Sequence, residues 1–284
     1  MSFTEKQKWA AVAVLGAVVV ALLLLIGWQG KERREAAERA REQVAAEERE
    51  RRSKEAEDLA RAREEATEEA NRNERELRGA LSGGSAEVVV WGDSTGNDLN
   101  EWVAQWSQIL ADDGRSVVMH RWDGDQGGWV DGPVTYGSGG DVVEIWNGHL
   151  PGATPGFPLE KGDFPEAADL VLLNFGHNGQ PEAVHAEYGA LLSRVASEYP
   201  EAPVGVIAQN PARGDHQRSS EVNRQVVMRL AAQRRVPVVN VHAAFREEGD
   251  LGRLLLDDLH PNAVGSRVWA EAVAGYFEAA GDGE

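Results

Sequence analysis

The chain has 284 residues, enough for one or two domains and a sizeable core. It holds no cysteine, which excludes disulfides and thiolate metal sites. A formal charge of -18 argues against a nucleic-acid partner, because phosphate recognition needs basic surface.

A short tail, residues 1–8, leads into WAAVAVLGAVVVALLLLIGW, the uncharged stretch Trp9–Trp28. Twenty helical residues span about 30 Å, the thickness of a bilayer's hydrocarbon core. Trp9 and Trp28 fall where an interfacial aromatic belt places them. A cleaved signal peptide has a shorter apolar region, about 7–15 residues, and a small-residue cleavage site, which this stretch lacks. Residues 9–28 are therefore predicted to be a membrane anchor, with Ala13, Ala17 and Ala21 as a small-residue face for helix pairing. Lys31 to Arg78 follows, with 14 Lys/Arg, 16 Asp/Glu, no Pro and no Gly. Glu-first pairs four residues apart, among them Glu35/Arg39, Glu48/Arg52, Glu57/Arg61 and Glu74/Arg78, each support a helix by roughly 0.2–0.5 kcal/mol. The segment 31–78 is expected to be a charged helical stalk about 70 Å long. Val44 and Leu59 suit a coiled-coil seam, but Arg51 and Glu69 fall on it, so a lone solvated helix and a loose coiled coil both stand. Stalk or anchor offers a surface for a homo-oligomer. Gly79 and Ser82-Gly83-Gly84 read as a flexible linker, residues 79–85.

From Gly79 onward the chain carries 13 Lys/Arg against 30 Asp/Glu. Apolar runs at Val88–Trp91, Val117–Trp122, Val142–Trp146, Leu170–Phe175, Val204–Ala208 and Val236–Val241 predict strands. Helical periodicity at Leu99–Asp112, Glu182–Tyr199, Ser219–Arg235 and Ala263–Ala280 separates them. This alternation predicts an α/β domain, a mostly parallel sheet covered on both faces, whose ligands bind beyond the carboxyl ends of the strands. The Gly-rich stretch Asp123–Asp141, with seven glycines, reads equally as a loop at the site mouth or a surface hairpin.

The unusual residues follow the strands. Gly92-Asp93-Ser94-Thr95-Gly96 ends the first, and its serine is expected near the N-terminus of the next helix. Asn147-Gly148-His149-Leu150-Pro151-Gly152-Ala153-Thr154 ends the third. Phe175-Gly176-His177-Asn178-Gly179 ends the fourth, and Asp257-Asp258-Leu259-His260-Pro261-Asn262 precedes the last helix. Each alone is explained as a turn or a cap. Together they supply a nucleophile, a base, an acid to orient the base, and oxyanion donors, which are the parts of a serine esterase.

In that order and composition the domain, residues 86–280, resembles an SGNH hydrolase of the GDSL type. The resemblance implies a three-layer α/β/α, flavodoxin-like fold. It gives Ser94 the nucleophile position, His260 the base and Asp257 the orienting acid. The Ser94 and Gly152 N–H groups and the Asn178 amide become the oxyanion donors, with no metal and no cofactor. Two positions depart from the pattern: Gly179 stands where Asp follows the third-block Asn, and Thr95 where Leu is common. Gly92-x-Ser94-x-Gly96 also fits the nucleophile elbow of α/β-hydrolases, but that elbow follows several strands and an HGGG-type loop, and only the stalk precedes this one. The expected function is a membrane-tethered serine esterase acting on O-acyl, chiefly acetyl, groups of envelope polysaccharide. A lipid or small acyl ester, or a thioester, is the alternative substrate, and a catalytically inactive binding or assembly module the alternative role. Basic residues after the span, from Lys31 to Arg41, outnumber Lys6 and Lys8 before it and place the domain inside. The short tail and the habits of the resembling family place it outside, the orientation adopted here.

Overall fold

The computed structural model describes residues 4–278. The first residues of the predicted tail and the end of the last predicted helix, Ala279 and Ala280, lie outside the described residues. The elements in chain order are α1 (Glu5–Gly79), β1 (Ala86–Gly92), α2 (Trp102–Asp112), β2 (Ser116–Asp123), β3 (Gly128–Trp129), β4 (Val134–Tyr136), β5 (Val142–His149) and α3 (Phe157–Lys161). They continue with β6 (Leu170–Asn174), α4 (Pro181–Glu198), β7 (Val204–Ile207), α5 (His216–Arg234), β8 (Val238–Val239), α6 (Val241–Glu248), α7 (Leu251–Leu254) and α8 (Ala263–Glu278).

The chain divides into two units, one up to Glu65 and one from Ala66. In the first, α1 is long and apolar enough to cross a membrane, with Trp9 and Trp28 exposed near the ends of its apolar stretch. Beyond it, charged side chains pair along the helix, as in Arg52–Glu48 at 2.6 Å and Lys31–Glu35 at 3.8 Å. Exposed pairs of this kind contribute little stability.

The second unit is a sheet ordered β3-β2-β5-β1-β6-β7-β8, with β4 also paired to β2. β1, β2, β5, β6, β7 and β8 are parallel, and only β3 and β4 run antiparallel. The order β5-β1-β6-β7-β8 is the 2-1-3-4-5 order of flavodoxin-like sheets, with β2 added at the edge. The runs VVVW in β1 and LVLL in β6 are buried throughout, because helices cover both faces of these strands. One face packs on α2, α6 and α8, where Trp102 stacks on Trp269 at 5.7 Å. The other packs on α4 and α5. Over β2 and β5 that second face is closed by aromatic side chains: Trp91, Trp122, Trp129 and Phe157 meet at centroid distances of 5.2–5.9 Å. The Gly-rich stretch is a surface hairpin, folded back along β2 with Trp122 opposite Trp129 and Val117 opposite Tyr136.

The segment expected as a solvated stalk is not solvent-exposed to its end. The last turns of α1 belong to the second unit. Leu77 is fully buried and fills the space over Gly205, where a Cβ would come within 2.8 Å of it. Asn73 donates to the Arg235 carbonyl at 2.8 Å, and Arg78 lies 4.1 Å from the Tyr276 ring centroid. Leu81 is buried in the same core and its carbonyl accepts from Arg115. The physical reason is that Leu77 and Leu81 are apolar residues within an otherwise polar segment, and burial there outweighs the freedom that Gly79, Gly83 and Gly84 allow.

Candidate active site

The carboxyl ends of β1, β5 and β6 lie side by side, and Gly92 pairs with both His149 and Asn174. A Cβ on Gly92 would lie 2.1 Å from His149 Nε2, so glycine lets the imidazole cross the strand end. There Nε2 meets Asn174 Nδ2 at 2.8 Å and Nδ1 meets Asn147 Oδ1 at 2.6 Å. Asn147 Nδ2 donates to the Gly96 carbonyl, so its oxygen must face the ring, and the proton of His149 sits on Nδ1. Burial pushes this histidine down to about 3, and it stays neutral. Gly96 closes the other side, since a Cβ there would lie 2.6 Å from the same Nε2. Gly96 therefore has a packing role of its own, independent of any elbow motif.

The network continues beneath the serine turn. Asn174 Nδ2 donates to Thr95 Oγ1 at 3.0 Å, and the Thr95 hydroxyl donates to Asp93 Oδ1 at 3.0 Å. Asp93 is fully buried; its Oδ1 also accepts from Thr95 N and its Oδ2 from Gln209 Nε2 at 2.9 Å. A leucine at 95 would supply neither bond, which explains that departure from the family pattern. The turn spans 93–101 and α2 starts only at Trp102, so Ser94 does not sit at a helix N-terminus as expected.

Ser94 Oγ lies 2.8 Å from His260 Nε2, and His260 Nδ1 lies 2.9 Å from Asp257 Oδ2. Asp257 holds a tight turn: its Oδ1 accepts from the N–H groups of Leu259 and His260, both at 2.7 Å. Partial burial opposes its charge, but these N–H groups and the imidazole outweigh that and bring its carboxyl down to about 2. Asp258 points away from His260, with Oδ1 3.6 Å from Arg213 Nη2. The cap of α8 is Asn262, which accepts from Val264 N and Gly265 N.

The second and third loops are joined. Leu150-Pro151-Gly152-Ala153 has the pattern of a type II turn, with Pro second, Gly152 at φ +75° and Ala153 N bonded to the Leu150 carbonyl at 3.1 Å. Asn178 Nδ2 donates to the Ala153 carbonyl at 3.0 Å. Gly179, at φ +89°, presents its carbonyl to Asn223 Nδ2 at 3.1 Å, so α5 supports this loop where the family pattern has a local Asp. Beside the turn, Glu101 accepts from Asp98 N at 2.7 Å. Burial, aided by the charge of Asp98, pushes Glu101 up to about 7 against the opposing pull of that N–H and of His260.

The sequence brought Ser94, Asp257, His260, Gly152 and Asn178 forward, and the first three are in hydrogen-bond contact. It did not assign His149, Asn174 or Gln209. The available signal was position: each ends a strand, or lies within two residues after one, at the same sheet edge as Ser94.

The sequence pattern of the GDSL-like Lipase/Acylhydrolase family matches residues 90–268. No curated protein matches the chain. Among solved structures, the lipase/acylhydrolase from Enterococcus faecalis is similar, at 19% identity and a TM-score of 0.51 over 69% of this chain and 96% of that one. An acetylxylan esterase from Geobacillus stearothermophilus is similar at 14% identity and a TM-score of 0.51, over 69% of this chain and 95% of that one. These likenesses concern the fold.

Proposed function

Because the chain belongs to the GDSL-like lipase/acylhydrolase family and is thereby a carboxylic ester hydrolase, we propose that it works as a serine esterase through Ser94, His260 and Asp257. The observation that carries this reading is the unbroken contact from Ser94 Oγ through the imidazole to Asp257, at 2.8 and 2.9 Å. In this mechanism His260 takes the Ser94 proton as Oγ attacks the ester carbonyl, and Asp257 fixes the imidazole with its proton on Nδ1. The Ser94 and Gly152 N–H groups and the Asn178 amide receive the oxyanion, Asn178 being steered toward Gly152 by its bond to the Ala153 carbonyl. The alcohol leaves with the proton from His260, and water then cleaves the acyl-enzyme by the same base.

The substrate proposed is an O-acetylated polysaccharide of the cell envelope. A solved structure of similar fold is an acetylxylan esterase, and a helix able to cross a membrane suits a substrate held at a surface. The helix then serves as the anchor, with the catalytic domain outside the cytoplasm. Acetate release from acetylated polysaccharide, compared with hydrolysis of acetyl, butyryl and long-chain aryl esters, tests the reading. Acetyl preference supports it, and a rate rising with chain length gives the lipid-ester reading instead. Protease shaving of intact cells tests the orientation, and protection of the domain overturns it.

A further inference from the structure

The turn that carries the base is exposed. The side chains of Asp257 and His260 are 54% and 34% exposed, so burial alone does not fix where the imidazole points. Hydrogen bonds do. Leu256 N donates to the His260 carbonyl at 2.8 Å and closes the turn at its base. The carbonyls inside it, those of Asp257, Asp258 and Leu259, all accept from one segment, Asn210–Arg213, which follows β7. Arg213 Nη2 donates to the Asp257 carbonyl at 2.9 Å, Arg213 N to the Asp258 carbonyl at 2.7 Å, and Asn210 Nδ2 to the Leu259 carbonyl at 2.9 Å.

Asn210 also reaches the third loop. It is buried, and its Nδ2 faces the Leu259 and Pro211 carbonyls, which only accept. Its Oδ1 must therefore face His177 Nε2, 3.0 Å away. That sets the proton of His177 on Nε2 and leaves Nδ1 to accept from Ser220 Oγ at 3.3 Å. Burial holds this histidine below its ordinary range, against the pull of Asp93 and of Asn210, so it is neutral at pH 7. His177 directly precedes Asn178. At the other end of the same run, Gln209 Nε2 donates to Asp93 Oδ2 under the serine turn. The run Gln209–Arg213 thus bonds to the serine turn, the third loop and the base turn at once.

We infer that Asn210 and Arg213 are positioning residues for the ester cleavage. They clamp the Asp257–His260 turn against the third loop, so that His260 Nε2 stays aimed at Ser94 Oγ and in register with Asn178. This inference rests on the esterase reading above. The clamp acts through His260, which moves protons in the bond-making and bond-breaking steps, so its effect belongs on kcat. A misplacement of about 1 Å in such a geometry costs up to about 10²-fold in rate.

Steady-state hydrolysis of 4-nitrophenyl acetate by the full chain in detergent tests this, with urea unfolding to establish that each variant is folded under assay. Asn210→Ala should lower kcat by about 10–100-fold and Arg213→Ala by about threefold or more, with KM within about twofold of the parent in both. Leu77→Ala is the comparison: it removes a core contact over Gly205, near the opposite end of β7, and should keep the parent's kcat while folded. Arg213 is partly exposed, so its variant decides should Asn210→Ala not fold. Ser94→Ala, run alongside, separates the two readings. An inactive Ser94→Ala with the parent's kcat in either folded clamp variant, or an effect confined to KM, overturns the positioning role alone. A fall in kcat as large in Leu77→Ala as in Asn210→Ala reduces the effect to lost stability and overturns it too. Full activity in Ser94→Ala overturns the esterase mechanism and this inference with it.

Discussion

Replacing Gly96 by Ala puts a methyl group 2.6–2.8 Å from three atoms of the His149 ring, where about 3.4 Å is ordinary contact. The imidazole has to move by about 0.8 Å, and it cannot do so freely, since Nδ1 and Nε2 are held at 2.6 and 2.8 Å by Asn147 and Asn174. Overpacking of this kind costs roughly 1–3 kcal/mol. A buried hydrogen bond lost as the ring shifts adds about 1–3 kcal/mol. Gly96→Ala is therefore expected to destabilise by about 2–6 kcal/mol and to lower kcat, because the displaced ring underlies the turn that carries Ser94. His149→Ala costs a similar amount, as it leaves Asn147 Oδ1 buried without a donor. The double variant is the decisive one. Without the ring the new methyl meets no imidazole, so the combined cost should fall short of the sum by about 1–3 kcal/mol. Urea unfolding followed by tryptophan fluorescence measures all four corners of the cycle, and Trp102, 5.7 Å from the His149 ring, reports on the region directly. If the two costs add to within about 0.5 kcal/mol, Gly96 is not a glycine on account of His149 and the packing argument fails.

Asp257→Asn is expected to lower kcat by roughly 10²–10⁴, whereas Asp258→Asn, facing Arg213, should cost less than about tenfold; steady-state kinetics of both variants decides, and the reverse ranking refutes the assignment. Asn178→Ala should lower kcat by roughly 10²–10³ with KM nearly unchanged, because the oxyanion forms only in the transition state; a change confined to KM makes Asn178 a ground-state contact. Glu101, raised to about 7, stays protonated in the fold between the ordinary carboxyl range and pH 7 while the unfolded chain ionises, so stability falls as pH rises through that window. Glu101→Gln should accordingly melt like the parent at pH 4 and above it at pH 8, by on the order of 2 kcal/mol in stability; melting curves at the two pH values check this, and an equal difference at both contradicts it. Leu77→Ala should destabilise the domain by about 2–5 kcal/mol, measured by urea unfolding, and no loss would mean that the end of α1 is not part of its core.

Much of this architecture is legible in the sequence. The runs VVVW and LVLL are continuous because their strands are buried on both faces, and amphipathic stretches between them can only be covering helices. The Asp257-x-x-His260 spacing was readable because a three-residue turn closes locally, independent of the rest of the fold. What escaped reading depends on residues distant in sequence. His149 looks like an ordinary loop histidine until β1 and β5 are paired and Gly92 is seen beneath it. Gln209 is a polar residue after a strand until Asp93, 116 positions away, is found against its amide. The docking of the last turns of α1 is hidden for the same reason: composition from Ala66 to Arg78 resembles the solvated helix before it, and only Leu77 marks the turn that docks.

The proposed catalysis turns on Ser94 as the nucleophile, and intact-mass analysis after treatment with a serine-directed fluorophosphonate measures that. One adduct per chain is expected, mapped by peptide mass to Ser94, absent in Ser94→Ala and slowed by orders of magnitude in His260→Ala. A chain that hydrolyses acetyl esters while Ser94 stays unmodified, or that carries its adduct on another serine, would contradict the account.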